Sequence, residues 1–171
     1  AERGLVAVDL DEPLRPRVLA VVPLDGPRAA MVQFRDVFAI DAKGFHVIDV
    51  TEPARPRLVE GATIPLRDAH RVFVSRTYAY VAAGAEGLAI IDVERPERPK
   101  LYQRYTADGA LDDARDVIVA STNASLFAYV ADGKNGLKVI QLLSPESNPG
   151  FYGYSPDPKP QLIAWRKTRA P

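Results

Sequence analysis

One pattern recurs three times along the chain with unchanged spacing. Asp9 is followed by Pro13, Arg15, Pro16 and Arg17. Asp49 is followed by Pro53, Arg55, Pro56 and Arg57. Asp92 is followed by Pro96, Arg98, Pro99 and Lys100. Proline fixes φ and cannot donate to a sheet ladder, so two prolines three apart end one strand and aim the next. Before each copy stands a short aliphatic segment opened by glycine. These segments are Gly4–Asp9, Gly44–Asp49 and Gly87–Asp92, with a fourth at Gly136–Gln141. The glycines are 40, 43 and 49 residues apart. Five apolar, β-branched residues bounded by turn residues predict a buried strand.

The rest of each repeat follows the same plan. A strand comes after the turn at Val18–Val22, Leu58–Glu60 and Leu101–Tyr105. Two strands precede the glycine. They are Val32–Phe34 with Val37–Ile40, Val72–Val74 with Tyr78–Ala82, and Val117–Val119 with Phe127–Ala131. Four short antiparallel strands in about 43 residues is the size and content of a propeller blade. The chain is therefore expected to be all-β, a β-propeller of four-stranded antiparallel blades, with about four repeats forming a partial ring. The repeats span 1–25, 26–66, 67–111 and 112–171 of a single propeller segment.

These residues also resemble a known family. Tyr80–Asp92 reads Tyr-Val-Ala-x-Gly-x-x-Gly-Leu-x-Ile-Ile-Asp, and Ala114–Val117 reads Ala-Arg-Asp-Val, with Tyr129–Gly133 downstream. Both resemble the LVIVD-repeat proteins. The resemblance implies a β-propeller and an exported or cell-surface setting, often within larger multidomain chains. It implies no shared enzymatic activity and no catalytic residues. Two departures stand out. The second copy lacks Ala-Arg-Asp-Val and is one residue short before Gly44, and the fourth has Gln141 where the others have Asp.

The repeats are unevenly completed. Gly4 lies close to the first residue, so the first blade lacks its inner strand pair. Lys159–Trp165 supplies the last strand of the fourth copy. Four outer pairs against three inner pairs favour an arc of a larger ring, since bare edges and faces are avoided in isolated proteins. The competing arrangement is a four-bladed ring closed by residues 1–10 pairing with 160–166. The chain opens on Ala1 rather than Met, as a processed chain or a piece of a longer one would.

Composition narrows the functional classes. Twenty-two Lys and Arg balance 22 Asp and Glu. That removes the electrostatic drive toward nucleic acid or an anionic membrane. No apolar run approaches the roughly 20 residues of a membrane span. The absence of cysteine excludes disulfides, thiolate metal sites and covalently attached haem within this stretch. There is no Gly-x-Ser-x-Gly, P-loop or dinucleotide fingerprint. Gly84–Gly87 and Gly133–Gly136 are Gly-x-x-Gly turns joining strands, where glycine supplies positive φ. Asp132–Gly136 lacks the spacing and terminal Glu of a calcium loop.

Two places could carry function. Residues 144–156 insert a Pro/Gly/Ser-rich loop carrying Phe151, Tyr152 and Tyr154. It is either a partner-docking loop, since aromatics are favoured anchors, or a loop folded back over its own blade. The second place is the entry to the inner strands. There His70, Arg71, Arg115 and Asp116 would form a polar ring at one mouth of the central channel. They either bind a ligand or metal, or bond one another and tie blades together. His46 is expected on a blade face rather than as a ligand. Asp9, Asp49 and Asp92 are expected to accept bonds from their own turns.

The sequence thus points to a non-catalytic propeller scaffold, or protein–protein interaction module, of an extracytoplasmic (periplasmic or cell-surface) assembly. It needs no cofactor and no metal. Its partners would be other protein chains or further blades of the same polypeptide, with no nucleic acid and no membrane insertion. The alternatives are a ligand- or metal-binding propeller with its site at the channel, and an accessory domain of an exported multihaem or other redox protein.

Overall fold

The computed structural model of the chain describes residues 4–122, 124–150 and 153–168. Its strands fall into a two-stranded sheet followed by three four-stranded sheets, every neighbouring pair antiparallel. The half-blade, blade 1, holds β1 (Leu5–Asp9) and β2 (Arg17–Val22). Blade 2 holds β3 (Ala29–Gln33), β4 (Asp36–Asp41), β5 (Gly44–Asp49) and β6 (Arg57–Pro65). Blade 3 holds β7 (Arg71–Ser75), β8 (Tyr78–Ala82), β9 (Leu88–Asp92) and β10 (Lys100–Tyr105). Blade 4 holds β11 (Ala114–Thr122), β12 (Ser125–Asp132), β13 (Leu137–Leu143) and β14 (Gln161–Arg166). Within each full blade the strands pair in sequence order, as up-and-down connections require.

The repeated turn explains why the strands start and stop where they do. In all three copies the arginine N–H closes a turn on the carbonyl three residues earlier. The bonds are Arg15 to Glu12 and Arg55 to Glu52 at 2.8 Å, and Arg98 to Arg95 at 2.9 Å. Pro13, Pro53 and Pro96 each take the second turn position, where a fixed φ is an asset. The preceding aspartates hold the turn from the other side. Asp9, Asp49 and Asp92 accept the N–H of Asp11, Thr51 and Glu94 at 2.9 Å each. Arg17 and Arg57 then reach the free oxygens of Asp9 and Asp49, at 2.7 and 3.1 Å.

The core lies between blades. Period-two alternation sends successive side chains to opposite faces of each sheet. Phe45 and Val47 of blade 2 meet Val72, Val74 and Ile91 of blade 3. Tyr80, Leu88 and Ile90 of blade 3 meet Val117, Val130 and Ile140 of blade 4. A smaller cluster, Val22, Val37, Ala39 and Ile48, joins blades 1 and 2. Polar bonds cross the same seams. Leu162 donates its N–H to the Tyr105 hydroxyl at 2.6 Å, and the Gln33 amide donates to the Arg76 carbonyl at 3.2 Å.

The expected partial ring is what forms, and two strand bounds are corrected. The four-bladed ring does not close: among the described residues β1 pairs only with β2, and β14 only with β13. Phe34 is not in a strand but in the turn between β3 and β4, at φ +55° and largely exposed. The third-copy turn strand has its counterpart in β10, but Leu58–Glu60 extends through Pro65, because Ala62 and Ile64 continue the buried alternation. Among the described residues no helix is long and apolar enough to cross a membrane.

Candidate functional site

The linkers entering β3, β7 and β11 converge at one end of the molecule. Aligning the repeats puts Arg28, His70 and Arg115 at one blade position and Asp68 and Asp113 two residues before the latter pair. Arg28 of blade 2 reaches across to blade 3. It donates to Asp68 Oδ1 at 3.1 Å and to the Ala69 carbonyl at 2.8 Å. His70 Nε2 lies 3.0 Å from Asp68 Oδ2 and 2.9 Å from Arg115 Nη1. That nitrogen serves one partner at a time, donating to the carboxylate when it carries a proton and accepting from the guanidinium when it does not. Arg115 also bonds Asp113 through Nε. The His70 bond to Asp68 is the largest influence on that carboxyl. It outweighs partial burial, and Arg28 and Arg115 add to it, so Asp68 is held below the ordinary carboxylate range.

The predicted ring is therefore split. His70 and Arg115 come together, while Arg71 and Asp116 form a separate pair at 3.5 Å. Arg28, Asp68 and Asp113 complete the cluster and were not singled out from the sequence. Arg28 was legible as the second-blade equivalent of His70. It was hidden because that copy lacks the Ala-Arg-Asp-Val motif. Every charge in the cluster faces an opposite charge or a carbonyl, and the bonds run from blade 2 through 3 to 4. Chemically this is a brace. Among the described residues no group of three or more His, Cys, Asp or Glu is placed to hold a metal ion.

A second polar device is buried behind the linkers of blades 2 and 4. In blade 2, Asp41 accepts from the N–H groups of Asp25 (3.0 Å) and Lys43 (2.7 Å), and its Oδ1 lies 2.7 Å from His46 Nε2. The other ring nitrogen of His46 meets the Thr63 hydroxyl at 3.1 Å, so this histidine is a satisfied core residue. Burial pushes the Asp41 carboxyl up, but the bonds from His46, Lys43 and Asp25 together bring it below its usual value. In blade 4, Asp132 accepts the Asp113 N–H at 2.8 Å, and Lys138 Nζ stands 3.7 Å from its Oδ2. Lys138 occupies the repeat position of His46. Blade 3 has Ala83 and Ala89 at the two places and dispenses with the pair.

The inserted loop lies at the opposite end. Its stem is tied to its own blade where the Lys159 N–H donates to the Leu142 carbonyl of β13 at 2.8 Å. It also clasps blade 3. Ser155 and Thr77 share a hydroxyl bond at 2.5 Å, and the Tyr78 hydroxyl donates to Asp157 at 2.7 Å. Tyr154 remains 70% exposed, with the Arg76 guanidinium 5.9 Å from its ring centroid. Phe151 and Tyr152 lie outside the described residues. Tyr154 borders a groove of about 640 Å³ between blades 2 and 3, which also presents Phe34, Asp36, Asp49 and Glu97. Burial first, then the nearby charges of Asp49 and Glu97, raises the Asp36 carboxyl.

With this geometry in view the comparisons are informative. The LVIVD repeat family matches residues 66–107 and 113–154, which are blade 3 with its linker and most of blade 4. These matches make the chain a member of the LVIVD-repeat family. None of the curated proteins matches the chain in sequence.

Proposed function

We propose that this chain acts as a non-catalytic β-propeller arc, a scaffold whose two end faces are covered by further protein in an extracytoplasmic assembly. The observation that carries this reading is a contrast between equivalent positions. Leu88 of blade 3 and Phe45 of blade 2 are fully buried, but Leu137, their equivalent in blade 4, is 40% exposed. At the other end Val8 is 44% exposed, whereas Ile48, Ile91 and Ile140 are fully buried. Each buried aliphatic side chain contributes about 2 kcal/mol, and contiguous bare apolar surface marks an interaction site. The side chains at both ends are those that the middle of the arc uses for blade-to-blade packing. The extracytoplasmic setting rests on the family resemblance alone.

The test uses the 171-residue chain. It is expected to bind a hydrophobic dye and to self-associate as concentration rises. The triple substitution I118E/L137E/I163E on the far face of blade 4 should reduce both, with the strand content unchanged. A monomer that ignores the dye and the substitutions, and that carries stoichiometric metal on elemental analysis, would overturn the scaffold in favour of a ligand-binding propeller.

A further inference from the structure

The two bare ends are not alike. At blade 4 only a face is uncovered. At blade 1 a strand edge is open as well, because among the described residues β1 has a partner on one side only. Equivalent strands β5, β9 and β13 each have an inner strand along that second edge. The register is the same in all three blades. Opposite the residue equivalent to Ala7 stands an aromatic side chain every time: Phe38 on Val47, Tyr80 on Ile90 and Tyr129 on Val139. Opposite the equivalents of Val6 and Val8 stand only Ala or Val: Ala39 and Val37, Val81 and Ala79, Val130 and Ala128.

Blade 2 bears the imprint of the same gap. Val32, Val74 and Val119 hold one repeat position and face the preceding blade. Val74 and Val119 are 4% and 8% exposed against the inner strands of blades 2 and 3, while Val32 is 63% exposed. The surface Val32 should meet is the inner pair of blade 1. Gly4 indicates how that pair is connected. Its φ is +131°, the value of Gly44, where the chain leaves the β4–β5 hairpin. In both, an added Cβ would strike the backbone of the outermost strand, at the Val22 and Ile64 carbonyls respectively.

We infer that the free edge of β1 is the seat of an antiparallel β-hairpin of the repeat type, from the same polypeptide and entering through Gly4. Its second strand lays an aromatic residue opposite Ala7, and its first strand covers Val32. This rests on the scaffold reading and specifies one occupant at one end of it.

The experiment grafts the chain's own hairpins. Residues 67–86, or in a second version 112–135, are fused directly before Gly4, in place of residues 1–3. Amide hydrogen exchange is followed in β1. The chain has no cysteine, so V32C supplies a unique thiol whose labelling rate reports on that surface. Either graft is expected to slow exchange at the β1 amides that β2 leaves unpaired by about tenfold or more, and to slow labelling at position 32 similarly. Replacing Tyr80 by Asp in the first graft should abolish both effects. If neither graft changes exchange or labelling, the inference fails. It fails equally if the ungrafted chain protects β1 in a concentration-dependent way, because a second copy is then the occupant. The scaffold reading is judged separately, on the dye and association behaviour of the blade 4 face. Failure there with success of the graft would leave the edge occupied but the far face idle.

Discussion

Asp49 shows how much one repeated side chain can do. One of its oxygens accepts both the N–H and the hydroxyl of Thr51, at 2.9 and 2.6 Å, and the other meets Arg57. The Thr51 bonds, more than the exposed guanidinium, hold this carboxyl below its ordinary value. Asp41 and Asp68 are likewise lowered. A carboxyl whose folded pKa is depressed stabilises the fold above its unfolded value and ceases to do so as pH falls through the folded one. Thermal melts should therefore hold steady toward acid and then decline below the ordinary aspartate value of 3.8, and D41N should flatten that decline. At Asp132 the issue is burial. Its Oδ1 accepts the Asp113 N–H, but its Oδ2 is fully enclosed and accepts no hydrogen bond among the described residues, so the Lys138 ammonium compensates that oxygen. D132A should cost about 3 kcal/mol in urea unfolding, because it strands a buried ammonium. Adding K138M should recover part of that loss.

At the scale of elements, the inserted loop matters for what its stem grips. The loop leaves blade 4 after Leu143 and returns at Gln161, and besides the Lys159 bond to Leu142 of its own blade it bonds Thr77 and Tyr78 of blade 3. It is a clasp across the last seam. The Tyr78 hydroxyl is raised above the ordinary tyrosine range, first by burial and then by its bond to Asp157. Y78F removes that bond and should lower stability by about 1 kcal/mol, measured as a shift in urea midpoint with an unchanged slope. Spectroscopic titration should find the same number of tyrosines ionising near pH 10 in the wild-type chain and in Y78F, because Tyr78 is held above that range. The aromatic tip is a separate matter. Tyr154 contributes nothing to the clasp beyond its stacking under Arg76, so Y154A should leave the midpoint within about 0.5 kcal/mol.

At the scale of the whole molecule, position in the arc decides what a residue is worth. Val32 and Val74 are the same residue in the same repeat position. V74A opens a cavity in the seam between blades 2 and 3 and should cost about 2 kcal/mol. V32A touches a surface with no neighbour and should cost less than about 0.5 kcal/mol. Comparing the two by chemical denaturation measures how far burial rather than identity sets stability. Equal costs would mean that the first blade is more complete in solution than its two strands imply.

Most of the architecture was legible in the residues, and for a local reason. A proline-bounded turn, a glycine and a five-residue aliphatic strand act within a few positions of one another, so their spacing survives into the fold. The Asp9, Asp49 and Asp92 turns, the four-strand repeat and the half-completed first blade all belong to this class. The cluster around Asp68 does not. Arg28, His70 and Arg115 are 42 and 45 residues apart, and nothing local says that the guanidinium of one blade will seek the carboxylate of the next. The loop stem is similar. Its polarity could be read, but its grip on blade 3 depends on where Thr77 and Tyr78 arrive once two sheets have packed. Period and turn chemistry determined each blade; the packing of one blade against the next decided which charges pair, which valines are buried and which edge is left open.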